Sequence, residues 1–336
     1  MINMVGVDEI FHGYDKYTMD KFEFESGSAL ENVVVEYSAK GTPKLDEDGN
    51  ICNSIVYCHT FNGNYSSVDN LYHLTAEGKP FDLNEYYFIS ITSLGFPESC
   101  SASTTNLKHN FPKFTIKDRV NFKRQFLKER FGIEKVHGIV SKGVGGYDAY
   151  TWACEYPDEM DFIMVAGSSY KTNGYRYVVS KCMESILESS DDFYSEVYSE
   201  TLSRMMVSIN RLLYSNYFSK KIFQNLTNDE IDVLMDDFVD EGLFTDIYDF
   251  KLRNDAILDY NVEDKLKNIK AHALIVSSDN DMYYTPEFDV LPLNDLIENS
   301  KVVIFKSNSQ YVDYDDCSII EDEIQEFMDN LKIKKE

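Results

Sequence analysis

The sequence has little positive charge: 32 Lys and Arg stand against 58 Asp and Glu, for a formal net charge of -26. That balance repels phosphate backbones and anionic head groups, so no nucleic-acid partner and no membrane partner is expected. No run approaches the roughly 20 apolar residues that a bilayer span requires. Residues 1–8 lack a basic segment followed by an apolar one, so no signal peptide is read there. The six cysteines (Cys52, Cys58, Cys100, Cys154, Cys182 and Cys317) contain no C-x-x-C pair, which argues against a zinc ribbon or redox motif. Several lie in apolar runs, such as Ser54-Ile-Val-Tyr-Cys58, and suit reduced core thiols. What is present is a chain of 336 residues, 43% hydrophobic, able to bury a sizeable core. A cytoplasmic location is expected.

Short β-branched and aromatic runs alternate with helical patterns. Strands are expected at 32–37, 54–59, 86–92, 136–141, 161–166, 272–277 and 301–305. Their continuous apolar stretches suit parallel strands buried on both faces. A helix is expected at 115–131, capped by Thr115 with Asp118 three residues on and ended by Gly132. The apolar spacing of 318–332 reads as a closing helix. Alternation of this kind means an α/β fold with a doubly wound, mostly parallel sheet. Residues 195–258 break the alternation with helical patterning alone. They are expected to form a helical lid insertion in a core built from 1–194 and 259–336.

The most informative turn follows the strand at 136–141. A dinucleotide fingerprint fails there because Asp148 stands at its last glycine, and a phosphate loop fails because Val144 follows Gly143. No cofactor and no metal are implied. The third candidate is the nucleophile elbow G-x-S-x-G, which sets a serine on a sharp strand-to-helix turn. Ser141-Lys-Gly-Val-Gly145 has that spacing, with glycine at the serine position. Glycine tolerates the strained elbow backbone, so Gly143 keeps the turn while removing the nucleophile.

Several segments carry a family resemblance. They are Asn110-Phe-Pro-Lys-Phe-Thr-Ile-Lys-Asp, Val144-Gly-Gly-Tyr-Asp, His59-Thr-Phe-Asn-Gly63, Ser93-Leu-Gly-Phe and Tyr248-Asp-Phe-Lys-Leu-Arg-Asn-Asp. Together they resemble the homoserine O-acetyltransferase family, whose members have the α/β-hydrolase fold. The resemblance implies transfer of an acyl group from acyl-coenzyme A to an amino-acid hydroxyl through an acyl-serine. It places the oxyanion donors at the backbone N–H groups of Phe61 and Val144. The acid falls at Asp281, with Asp279 as the neighbouring alternative. The histidine position falls at Asp313.

None of the six histidines (His12, His59, His73, His109, His137 and His272) follows Asp281, where the hydrolase order puts the base. Nucleophile and base are therefore both missing, and removing either from such a triad costs on the order of 10⁶ in kcat. The expectation is a degenerate relative, lacking the serine and the catalytic histidine, that binds a small-molecule ligand or a protein partner. Ser141, Lys142 and His59 are candidate pocket residues. An acyltransferase or esterase with a non-standard nucleophile is the first alternative, using Ser141 or Lys142. A structural homodimer formed through the helical insertion is the second. The alignment also sets Asp281 and Asp313 facing each other, a pair that would need a raised pKa or a cationic partner.

Overall fold

The computed structural model describes residues 13–195, 197–218, 220–306 and 317–333. Its centre is built from the continuous apolar runs. Every residue of β3 (Ser54–Cys58) and β4 (Tyr87–Ile91) is buried, because helices cover both faces of the sheet. The remaining strands are β1 (Gly13–Glu23), β2 (Ala29–Gly41), β5 (Val136–Lys142), β6 (Met160–Ala166), β7 (His272–Ser278) and β8 (Ser300–Phe305). They form one sheet in the order β1-β2-β4-β3-β5-β6-β7-β8. Only the β1–β2 and β2–β4 pairings are antiparallel, so the sheet is mostly parallel.

Alternate strand residues feed two cores. Val56, Cys58 and Ile139 face one, shared with Trp152 and the helices beyond it, and Ile55, Tyr57 and Val140 face the other, closed by Ile324, Phe327 and Leu331. The helix Ile116–Phe131 starts on Thr115, whose Oγ1 accepts from the Asp118 N–H while the Asp118 carboxylate accepts from the Thr115 N–H. It stops at Gly132 with φ +68°, as the left-handed cap requires.

Two features differ from the sequence reading. Strand β1 was not anticipated: it is an edge strand in which only Met19 and Phe22 are buried, with Asp15, Lys16, Asp20 and Lys21 along it, so no two-residue alternation survives. Charge of this kind on an edge strand discourages pairing with another chain. The helical stretch between β6 and β7 also begins earlier than residue 195. It comprises the longer helices Gly174–Leu187, Glu200–Tyr214, Asn228–Phe244 and Ile247–Leu258, with shorter ones between. No helix among the described residues is long and apolar enough to cross a membrane. Cys52, Cys58, Cys100, Cys154 and Cys182 carry free thiols, Cys58, Cys100 and Cys154 buried.

Candidate functional site

Strands β3, β5, β6 and β7 end side by side, with Cys58 opposite Ser141 and Lys142 opposite Ala166. This carboxyl edge is where ligands bind in open parallel sheets. After β5 the chain turns through Gly143 and Val144 and enters the helix Gly145–Glu155. Gly143 has φ +55°, the left-handed region, and its N–H donates to the Ala166 carbonyl (3.0 Å). A Cβ added at Gly143 would meet only Thr60, at 3.5 Å, which is ordinary contact. Gly145 is different: a Cβ there would lie 2.0 Å from the Cys58 carbonyl oxygen, because this helix start presses on the end of β3.

Thr60 and Phe61, in the loop after β3, close over the turn. With Gly143 and Val144 they line a narrow cavity of about 30 Å³. The loop after β7 contributes Tyr283 and Tyr284, and the helical stretch contributes Ser180, Met183, Leu213, Tyr217, Asn254 and Ile257. Neither the Phe61 nor the Val144 amide N–H finds an acceptor among the described residues.

The orientation of the Phe61 amide has a traceable cause. His59 is fully buried; its Nε2 accepts from the Ser93 N–H (3.0 Å), which leaves the proton on Nδ1 to be donated to the Thr60 carbonyl (2.8 Å). Gly63 N–H donates to the same oxygen (3.1 Å). Thr60 C=O and Phe61 N–H share one planar trans peptide, so fixing the carbonyl on one side directs the N–H to the other. From the helix Ile247–Leu258, Arg253 donates to the Phe61 carbonyl (3.0 Å) and lies over the Phe61 and Phe96 rings. Burial lowers the Arg253 pKa to about 10, leaving it charged at neutral pH. Burial, then the Lys123 cation, pushes His59 well below its ordinary value. His59 is therefore a neutral, doubly bonded residue behind the loop.

The other candidates are placed as follows. Ser141 is 1% exposed and its hydroxyl donates to the Met164 carbonyl on β6 (3.0 Å). Lys142 ends β5, half-buried. Neither they nor His59 are among the residues lining the cavity. Burial raises the Cys58 thiol to about 12, so it supplies no thiolate. Asp281 lies in the loop after β7, buried, and its Oδ1 accepts from the N–H groups of Tyr283 and Tyr284 (2.8 Å each). It lines, with Asp279 and Tyr175, an open groove of about 450 Å³. Asp281 does not line the cavity at Gly143 that the described residues form. Asp313, and with it the Asp281–Asp313 pair, lies outside the described residues.

Three groups around the site are not among the candidates read from the sequence, although Asp148 and Asn254 lie within the segments that carry the family resemblance. Asp148, on the helix after the turn, accepts from Arg119 and Lys123 (2.9 Å each), all three essentially unexposed, and Lys123 also donates to the Ser93 hydroxyl. Arg176 pairs with Asp289 (2.7 Å) and donates to the Tyr283 carbonyl (3.2 Å), tying the Asp281 loop to the first helix of the helical stretch. Ser180 and Asn254 enter the cavity from helices whose patterning reveals only amphipathicity. Among the described residues no cluster of His, Cys, Asp and Glu is suited to a metal ion.

A sharp glycine turn at the carboxyl edge of a mostly parallel sheet, with helices inserted between β6 and β7, defines the α/β-hydrolase fold. No protein-family model matches the chain. A protein named a probable acyltransferase, from Methanothermobacter thermautotrophicus, is 38% identical over 301 residues, covering 90% of this chain and 92% of its own length. The homoserine O-acetyltransferase of Methanobrevibacter ruminantium is 26% identical over 314 residues, with 79% of this chain and 62% of that protein covered. The crystal structure of homoserine O-acetyltransferase from Bacillus anthracis superposes with a TM-score of 0.80 at 18% identity, covering 94% of this chain and 97% of that one. Esterase E22 superposes with a TM-score of 0.81 at 17% identity, covering 94% and 99%. The chain belongs to the homoserine O-acetyltransferase family of the α/β-hydrolase superfamily.

Proposed function

We propose that the protein binds small acyl compounds in the cavity at Gly143 and forms no acyl-serine there. One observation carries the reading: Phe61 and Val144, whose amide N–H groups have no acceptor among the described residues, line the same cavity as Gly143, the glycine that the family resemblance sets at the nucleophile position. Paired backbone donors in a dry site are how acyl-transfer proteins hold a carbonyl oxygen. Here they hold the ligand while the covalent step is missing, and the helical stretch serves as the lid. The binding half of acyl chemistry is kept and the reacting half is not.

The test is direct. Incubation with acetyl-coenzyme A and homoserine, and separately with an activated acetate ester, is expected to give no turnover above background. Gly143→Ser combined with Asp313→His is expected to recover a covalent acetyl-protein, visible as one added acetyl group by mass spectrometry. Efficient turnover by the unmodified chain overturns the reading. It would favour an acyltransferase with a non-standard nucleophile, to which the acyltransferase name of the 38% identical relative lends support. Loss of that turnover in Ser141→Ala or Lys142→Ala would then assign the group responsible.

A further inference from the structure

The same cavity is lined by two residues with a buried side-chain atom that makes no hydrogen bond of ordinary length among the described residues. Asn254 is fully buried, and its Nδ2 donates to the Ser180 carbonyl (3.1 Å), which fixes the amide orientation and leaves Oδ1 turned elsewhere. Among the described residues Asn254 Oδ1 has no hydrogen-bond partner, and the Ser180 hydroxyl, itself 1% exposed, has none at ordinary hydrogen-bond distance, with the Tyr283 hydroxyl as its neighbour. Buried polar atoms are normally paired, and each exception calls for a water or a ligand. Both residues come from the helical stretch, whereas Phe61 and Val144 come from the loops at the strand ends. The cavity therefore offers donors from the core and an acceptor from the helices, between the side chains of Met183, Ile257 and Tyr284.

A compact ligand meets both requirements only if one small group carries an acceptor and a donor together. Esters and thioesters carry the carbonyl oxygen alone. A carboxamide carries a carbonyl oxygen and an N–H on the same planar unit. The described wall residues bear no formal charge, so an ion entering here would go uncompensated, which disfavours carboxylates and ammonium groups. We infer that the cavity selects an uncharged carboxamide, its carbonyl oxygen on the Phe61 and Val144 amides and its N–H on Asn254 Oδ1, with the Ser180 hydroxyl as the second contact. This inference rests on the acyl-binding reading and sharpens its ligand class.

Acetamide and methyl acetate, which differ in the N–H, are the probes, titrated against the full chain by ligand-observed NMR. Acetamide is expected to bind about tenfold more tightly, the size of one well-made hydrogen bond in a dry site. Asn254→Leu is expected to erase that preference while leaving methyl acetate within about twofold, and Ser180→Ala to weaken acetamide by about threefold. Should Asn254→Leu fail to fold, the preference of the unmodified chain and the Ser180→Ala effect decide. Equal affinity for amide and ester, or a preference that survives Asn254→Leu, overturns the inference and leaves the acyl-binding reading standing. Binding of neither probe, with the cavity occupied by water alone, overturns both.

Discussion

An added Cβ at Gly143 meets only ordinary contact with Thr60, whereas at Gly145 it would run into the backbone of β3. The two glycines therefore respond differently to substitution. Gly143→Ser is expected to fold with a loss of about 1–2 kcal/mol, the cost of a left-handed backbone for a residue with a side chain, measured by urea unfolding. Gly145→Ala is expected to lose about 3 kcal/mol or more, because the atom it meets is a carbonyl oxygen that cannot step aside. Equal losses for the two would contradict the geometry of the turn. His59 adds a pH signature. Its folded pKa lies well below the ordinary 6.5, chiefly because of burial. Above about pH 6.5 it is neutral in both folded and unfolded chains and contributes no slope. Below that pH the unfolded chain takes a proton that the folded chain refuses. Stability should then fall by about 1.4 kcal/mol per pH unit through this one residue. His59→Asn, whose amide can still donate to the Thr60 carbonyl, should remove that component of the slope, and an unchanged slope would show that His59 does titrate in the folded protein.

At the scale of elements, the helix Ile116–Phe131 and the helix Gly145–Glu155 are joined by the Arg119–Asp148–Lys123 cluster. Removing the one anion leaves two buried cations facing each other, so Asp148→Asn is expected to cost about 3–5 kcal/mol. Lys123→Met, which leaves the Arg119–Asp148 pair intact, should cost distinctly less by the same unfolding measurement. This cluster also marks the limit of what the sequence made legible. Thr115, Asp118 and Gly132 announced the helix ends because capping is a local event, settled within a few residues. The central strands were legible because burial on both faces forces continuous apolar runs. Arg119 and Lys123 lie one helical turn apart, a spacing that reads as a solvated face. Only Asp148, more than twenty positions on and brought beside them by the sheet, reveals them as buried. The site divides in the same way. Gly143, Phe61 and Val144, which the spacing of the turn and the family resemblance single out, line one cavity. Ser180 escaped, and Asn254 was not singled out within the segment Tyr248–Asp255 that carries the resemblance, because amphipathic helices announce which face is buried but not which polar atom on it will lack a partner.

For the whole molecule, the excess of acid is the dominant long-range term. The described ion pairs are mostly exposed or half-exposed, such as Lys128–Glu134 and Lys270–Asp158, and pairs of that kind contribute about 0–1 kcal/mol each. With 58 acidic residues against 32 basic ones, pairing leaves a surplus whose repulsion acts across the whole surface and grows as the chain becomes compact. Salt screens both effects, and their magnitudes set the sign of the outcome. Weak exposed pairs lose a little, while the repulsion among unpaired carboxylates is largely removed once the Debye length drops to about 10 Å near 0.1 M. The melting temperature is therefore expected to rise as potassium chloride increases from about 0.02 M to about 0.5 M, levelling off beyond the Debye lengths of about 3 Å reached near 1 M. Chloride is the informative anion, since sulfate stabilises most proteins by exclusion from their surface whatever their charge. The Arg119–Asp148–Lys123 cluster is shielded from bulk salt by burial, so the curve should be the same for Asp148→Asn once its own destabilisation is subtracted. A melting temperature that falls with chloride would mean that the exposed pairs outweigh the surplus.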